Sequence, residues 1–214
     1  MSVNFLLSRH TAKVNHGENR EEKKMKKLLL VLVTCLFVFG GSAFAGFKYD
    51  IKAEHEGGNV TPSQAYAMVQ KDIDHTFIVD VRTRPEHQLV GHPVGAYNVP
   101  KKFWTGKLGK KGYGMKDNAN FEKDLLARFN SATDKLIFMC RSGKKSALAS
   151  AAAIRAGWNP KDVCSMLGGF EGDKISDKNS AYNGQRKLGG WKNEGLPWTY
   201  KIDKKLVYIA DIAQ

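Results

Sequence analysis

The sequence predicts an α/β fold with a mainly parallel central sheet and helices on both faces. Three observations carry this. The short runs Phe77–Val81, Leu136–Met139 and Val163–Leu167 are apolar at nearly every residue, as strands covered on both sides are. Between them lie segments with helical apolar spacing, and strands alternating with helices build βα units. With 214 residues, 42% hydrophobic and 26% charged, the chain can bury one ordinary core and is not disordered as a whole.

The segment at the N-terminus reads as a targeting signal. Leu28 to Phe39 is mostly apolar, preceded by Lys23, Lys24, Lys26 and Lys27 and followed by Ser42-Ala43-Phe44-Ala45. The run is shorter than the roughly 20 residues a membrane span needs, and Ala43-x-Ala45 offers the small residues of a signal-peptidase site. Residues 25–45 are therefore expected to be a signal peptide cleaved after Ala45, giving a periplasmic or secreted protein with no stable membrane span after cleavage. The alternative is an uncleaved anchor. Residues 1–24 are polar and aperiodic and read as an untranslated or disordered leader, with translation starting at Met25. Cys35 leaves with the peptide.

Residues 46–58 read as a linker, and 59–200 as the domain. Thr61-Pro62-Ser63-Gln64 is a helix start, with Thr61 as cap and Gln64 completing a capping box. That helix should reach about Lys71, with Ala65, Met68 and Val69 on its apolar face. The strand Phe77–Val81 has Asp80 and Arg82 at its end. Pro85 to Pro93 is turn-rich, and Ala96 to Pro100 is a short strand stopped by proline. Residues 101–120, rich in Gly and Lys with Phe103, Trp104 and Tyr113 interleaved, are expected to be an ordered insertion or lid. Phe121, Leu125, Leu126 and Phe129 mark one helical face. The strand Leu136–Met139 runs into Cys140-Arg141-Ser142-Gly143-Lys144-Lys145-Ser146. An Ala-rich helix from Ser146 to Ala156, closed by Gly157, precedes the strand Val163–Leu167. Residues 172–190 read as a second insertion, and 201–214 as a tail that is either an added strand or docked.

Charge and cysteines narrow the chemistry. Loss of residues 1–45 would remove seven of 34 Lys and Arg and three of 21 Asp and Glu, leaving a net charge of +9. An exported protein rarely meets nucleic acid, so none is expected as partner. Small anions or an acidic envelope surface fit better, and a solvated basic surface with no partner is the alternative. Three cysteines with no C-x-x-C pair and no clustered His exclude a disulfide scaffold and a zinc ribbon. Neither metal nor cofactor is expected.

The Cys140 loop lies where open α/β sheets gather ligands, between a strand's carboxyl end and a helix start. The six backbone N–H groups from Arg141 to Ser146 can curl around the sulfur, with Gly143 free to take the dihedral angles such a curl needs. The helix dipole, with Arg141, Lys144 and Lys145 beside it, should favour thiolate and make Cys140 nucleophilic. The same field would hold an anionic substrate. The bland alternative is a buried structural cysteine followed by a solvated basic turn.

The loop resembles the active loop of rhodanese-like sulfurtransferases, Cys-Arg-Ser-Gly-x-Arg-Ser. Ile78-Val79-Asp80-Val81-Arg82 is similar to the family's Asp-Val-Arg strand end. Gly91-His92 through Gly95-Ala96 and Asn98-Val99-Pro100 resemble its Gly-His-x-x-Gly-Ala-x-Asn-x-Pro run. Leu167-Gly168-Gly169-Phe170 and Gly195-Leu196-Pro197-Trp198 are similar to its ending. The resemblance covers about Val60 to Trp198. It implies that Cys140 is the catalytic nucleophile, taking the outer sulfur of thiosulfate or a similar small anionic donor as a persulfide. The sulfur then passes to cyanide, a thiol or a protein thiol partner. Arg141, Ser142, Gly143, Lys144, Lys145 and Ser146 would bind the donor, the loop amides stabilising charge on sulfur. The family usually has Arg where this chain has Lys145, and a point charge in place of a planar fork is expected to alter donor affinity or preference.

A cysteine phosphatase needs Cys-x5-Arg, and this chain has Ser146 where that arginine would stand, so phosphoryl transfer lacks its charge clamp. Asp80 and Arg82 are expected to be a structural ion pair supporting the loop, and His92 a turn residue with a satisfied hydrogen bond. Trp191 and Trp198 are expected to pack in core or tail. Cys164, within a strand, is expected to be buried; a disulfide to Cys140 would need Cα atoms within about 7 Å and would block the persulfide. The alternative function is a non-catalytic module of the same fold whose basic insertions bind a protein or sulfur-relay partner.

Overall fold

The computed structural model describes residues 47–110 and 112–209. The expected leader, signal peptide and Cys35 lie outside the described residues, as do 210–214. The first half of the domain holds β1 (Gly58–Val60), α1 (Pro62–Lys71), β2 (Thr76–Asp80), α2 (Arg84–Leu89), β3 (His92–Pro93), β4 (Tyr97–Asn98), β5 (Lys102–Gly109) and β6 (Gly112–Asp117). The second half holds α3 (Phe121–Leu126), β7 (Lys135–Met139), α4 (Lys144–Arg155), β8 (Val163–Met166), β9 (Asp173–Lys174), β10 (Arg186–Leu188) and β11 (Trp198–Thr199).

Five strands form one parallel sheet in the order β1-β8-β7-β2-β4. Its inner strands are apolar on both faces because both faces are covered. Val79, Leu136, Phe138 and Val163 point into a core with Phe121 and Leu125 of α3 and Ala149, Ala152 and Ala153 of α4. Ile78, Ile137, Met139, Cys164 and Met166 face the other way, against Ala65, Met68 and Val69 of α1 together with Phe170 and Trp191. The expected α/β class with helices on both faces is what the chain forms.

Helix α1 is capped as its sequence requires. Thr61 accepts from the Gln64 amide, the Gln64 side chain accepts from the Thr61 amide, and Pro62 fills the first turn. The same device, Thr83 with Glu86 and Pro85, starts α2 inside the stretch that composition marks as turns. Six residues are too few to show helical periodicity, so the cap was the readable signal.

Of three other stretches, one differs from expectation and two take a form that was expected. Residues 47–58 are docked and not a bare linker: the Gly190 amide donates to the Tyr49 hydroxyl at 2.7 Å, Tyr49 bonds Glu194, and Lys52 pairs with Asp173. Residues 101–120 hold an antiparallel hairpin of β5 and β6, exposed on nearly all of its length. Residues 201–209 form no strand. They dock by the Asn98 amide donating to Leu206 O at 2.8 Å and by the buried Tyr208 hydroxyl donating to Asp124 at 2.9 Å. Residues 172–190 contain the small β9–β10 pair. Among the described residues no helix is long and apolar enough to cross a membrane.

Candidate active site

Strand β7 ends in the core, and the next residue is Cys140, 3% exposed. The chain then turns through Arg141 and Ser142 to Gly143, whose φ of 105° is open to glycine at little cost. Helix α4 starts at Lys144, two residues before the expected Ser146, since Gly143 supplies the left-handed cap and both lysines are good helix formers. The early start brings the helix N-terminus close to the sulfur. The Gly143 amide donates to Cys140 Sγ at 3.2 Å.

Of the N–H groups from Arg141 to Ser146, that of Gly143 makes the hydrogen bond to the sulfur, and a second polar neighbour is the Ser146 hydroxyl, 3.8 Å from Sγ. Lys144, Lys145 and Ser146 lie in the first turn of α4, whose amides have no partner within the helix. Ser146 is fixed in place. Its hydroxyl donates to Gly143 O at 2.7 Å and accepts from Ser165 Oγ of β8 at 2.8 Å. Ser165 was not legible as a site residue, because nothing local in the sequence ties it to a partner 19 positions away.

A second support comes from the turn after β8. The Phe170 amide donates to Cys140 O at 2.8 Å and the Glu171 amide to Arg141 O at 3.0 Å. Gly169, at φ 58°, lies so close that a Cβ there would sit 2.3 Å from Cys140 O. Only glycine fits.

Arg141 and Lys144 are exposed and Lys145 half-buried; among the described residues no carboxylate pairs with any of the three. Lys145 Nζ lies 3.7 Å from Met115 Sδ of β6, so the hairpin stands at the rim of the loop. The loop thus presents a net positive mouth.

Asp80 and Arg82 do not reach the sulfur. Arg82 grips the fully buried Asp80 with Nε at 2.9 Å and Nη2 at 2.7 Å, and also donates to Gly91 O. Burial alone would push the Asp80 carboxyl up, but the Arg82 charge and hydrogen bonds from His87 and Arg82 overcome it and hold it at about 2. The Arg82 guanidinium stacks 4.5 Å from the Phe170 ring, and Phe170 holds the Cys140 carbonyl. The pair therefore steadies the loop through Phe170. His92 donates to or accepts from nothing reactive: its Nδ1 bonds His87 O at 2.8 Å and its ring stacks on His87 at 3.6 Å. Burial pulls its imidazole below the ordinary range. Trp191 is 1% exposed in the core, and Trp198 is half-buried against Phe170.

Cys164 and Cys140 are both free. They point to opposite faces of the sheet, Cys140 into one core and Cys164 into the other, so no disulfide joins them. Among the described residues no group of three or more His, Cys, Asp or Glu could hold a metal ion.

Residues 61–175 match the rhodanese-like domain. A Rickettsia rickettsii protein described as an uncharacterized RP600 homolog is 33% identical over 143 residues, spanning 66% of this chain and 97% of its own. The senescence-associated protein DIN1 of Raphanus sativus is 34% identical over 92 residues, 43% of this chain and 45% of its own. The crystal structure of Rv0390 from M. tuberculosis is 31% identical, covers 68% of this chain and 98% of its own, and superposes with a TM-score of 0.53. A parallel sheet in this order, a cysteine at the strand-to-helix junction and a domain match over more than half the chain agree, and the chain belongs to the rhodanese-like family.

Proposed function

We propose that the protein is a sulfurtransferase that carries a sulfane sulfur on Cys140. The observation that supports it most is the Gly143 amide aimed at Sγ at the N-terminus of α4, where negative charge on sulfur is stabilised. Cys140 as thiolate attacks the outer sulfur of thiosulfate, the bond to the sulfonate sulfur breaks, and sulfite leaves with the electron pair. The persulfide anion that remains takes the same amide and the Ser146 hydroxyl as neighbours. Arg141, Lys144 and Lys145 draw the donor's oxyanion to the mouth, and the acceptor, cyanide or a thiol, then removes the outer sulfur and restores the thiolate. The signal read in residues 25–45 supports an envelope or secreted setting.

The 3% exposure of Cys140 favours a second reading, a binding module of the same fold with no turnover. Intact mass after thiosulfate separates the two. Sulfur transfer predicts a gain of one sulfur atom on Cys140, removed by cyanide with release of thiocyanate. An unmodified Cys140 in the folded chain refutes it.

A further inference from the structure

The hairpin of β5 and β6 is not used by sulfur chemistry with small molecules. Its register sets Trp104 opposite Met115 and Leu108 opposite Tyr113, and Tyr113 and Met115 are two apart on one strand, so all four share a face. All are exposed, from 37% at Met115 to 77% at Leu108. The Trp104 and Tyr113 rings stack with centroids 6.4 Å apart. Elsewhere on the hairpin, Phe103 is covered by the Tyr208 ring at 5.5 Å. A contiguous apolar face of this kind, rimmed by charge, marks a contact surface.

The charge around it is mostly positive: residues 101–117 carry six lysines against one acid, Asp117, which Lys102 pairs at 3.1 Å. Lys102 shares the face of Trp104, Lys107 and Lys110 flank Leu108 along the chain, and Lys116, in register with Phe103, lies on the opposite side. Positive charge continues into Arg141, Lys144 and Lys145, and Lys145 meets Met115. The hairpin is a sheet of two strands, so the outer edges of β5 and β6 leave backbone donors and acceptors open to an extended chain.

We propose that this face docks an extended, acidic and partly apolar segment of a partner protein whose cysteine takes the sulfur from Cys140. The proposal rests on sulfur transfer at Cys140 and names its acceptor. Charge selects an acidic occupant, the stacked rings and Leu108 select apolar side chains on it, and the Met115–Lys145 contact joins the face to the loop. An anionic bilayer matches the charge but carries no thiol to the loop. In the transfer the partner's thiolate attacks the outer sulfur of the Cys140 persulfide. The bond from that sulfur to Cys140 Sγ breaks, its electron pair returns to Cys140 as thiolate, and the partner leaves as the persulfide, with no net oxidation.

The test uses the full chain loaded with thiosulfate and two acceptors, cyanide and a dye-labelled peptide in which Asp and Glu alternate with Leu and Val around one cysteine. Peptide binding is read by anisotropy and sulfur transfer by mass. The exposed pairs Leu108→Ser with Tyr113→Ser, and Lys107→Glu with Lys110→Glu, should each weaken peptide binding and slow transfer to it by about tenfold or more. Cyanide turnover should change by less than about twofold, since small acceptors need no docking face. A peptide with Lys in place of the acids should bind at least about tenfold more weakly. Equal binding of the two peptides, or binding untouched by both double variants, overturns the proposal. So does binding to phosphatidylglycerol vesicles that the same variants abolish while peptide binding persists. If the unaltered chain turns over neither acceptor, sulfur transfer fails by itself, and anisotropy alone decides the docking face.

Discussion

Cys140 and Cys164 lie one strand apart in the same sheet, yet their surroundings differ in kind. Both are buried, at 3% and 9% exposure. Cys164 sits inside β8, paired in register with Ile137, on the face that packs α1, and burial with the nearby Asp162 charge pushes its thiol up. Cys140 sits one residue past the end of β7, on the other face, with an amide aimed at it and a helix starting four residues on, at Lys144. Burial does not separate the two thiols. Position does: at the strand end the sheet's hydrogen bonding stops, and the freed backbone turns toward the sulfur.

Substitutions test that contrast, starting with the two cysteines' unequal weights. Cys140→Ser should lower thiocyanate formation by about a thousandfold or more, read by steady-state assay, with the melting curve little changed. Asp80→Ala leaves Arg82 buried and unpaired and should cost about 3–5 kcal/mol in urea unfolding, the largest effect on stability of any site residue. Gly169→Ala sharpens the comparison, since it strains the turn that holds the Cys140 carbonyl and touches nothing around Cys164. It should cost about 2 kcal/mol and lower turnover by more than that stability loss explains. Cys164→Ala should be the mildest: about 1 kcal/mol in unfolding and turnover within about twofold, and a larger loss of turnover would erase the distinction between the two thiols.

Acid gives a further separation. Asp80 ionises at about 2 in the fold against an ordinary 3.8, so its ionised form stabilises above pH 3.8, and that contribution, about 2 kcal/mol, is lost as pH falls toward 2. His92 is held below its ordinary 6.5, so the unfolded chain takes up its proton first and stability should begin to decline as pH drops below 6.5. Unfolding free energy measured from pH 8 to pH 2 should show both declines, and Asp80→Asn should remove the lower one.

Much of this was legible in the chain itself. The runs Phe77–Val81, Leu136–Met139 and Val163–Leu167 read as buried strands because two-sided burial leaves no polar alternation. Helix α1 shows in the sequence through its cap and its apolar stripe together, whereas α2 has the cap alone within a stretch whose composition is that of turns. The Cys140 loop was readable because its chemistry is local. Its supports were not: Ser165, Gly169 and Phe170 act through the space between β7 and β8, and that adjacency exists only once the sheet is assembled. The hairpin was visible as a Gly- and Lys-rich insertion, but which of its aromatics share a side depends on a register shift between Trp104 and Leu108 that composition does not encode.

The bonds from Phe170 and Glu171 to the carbonyls of Cys140 and Arg141 clamp the loop from the side while β7 clamps it from below. A seat anchored along two directions has little room to swing outward. On the proposed sulfur transfer, donor and acceptor must each come to the sulfur where it sits, with no opening of the loop to meet them.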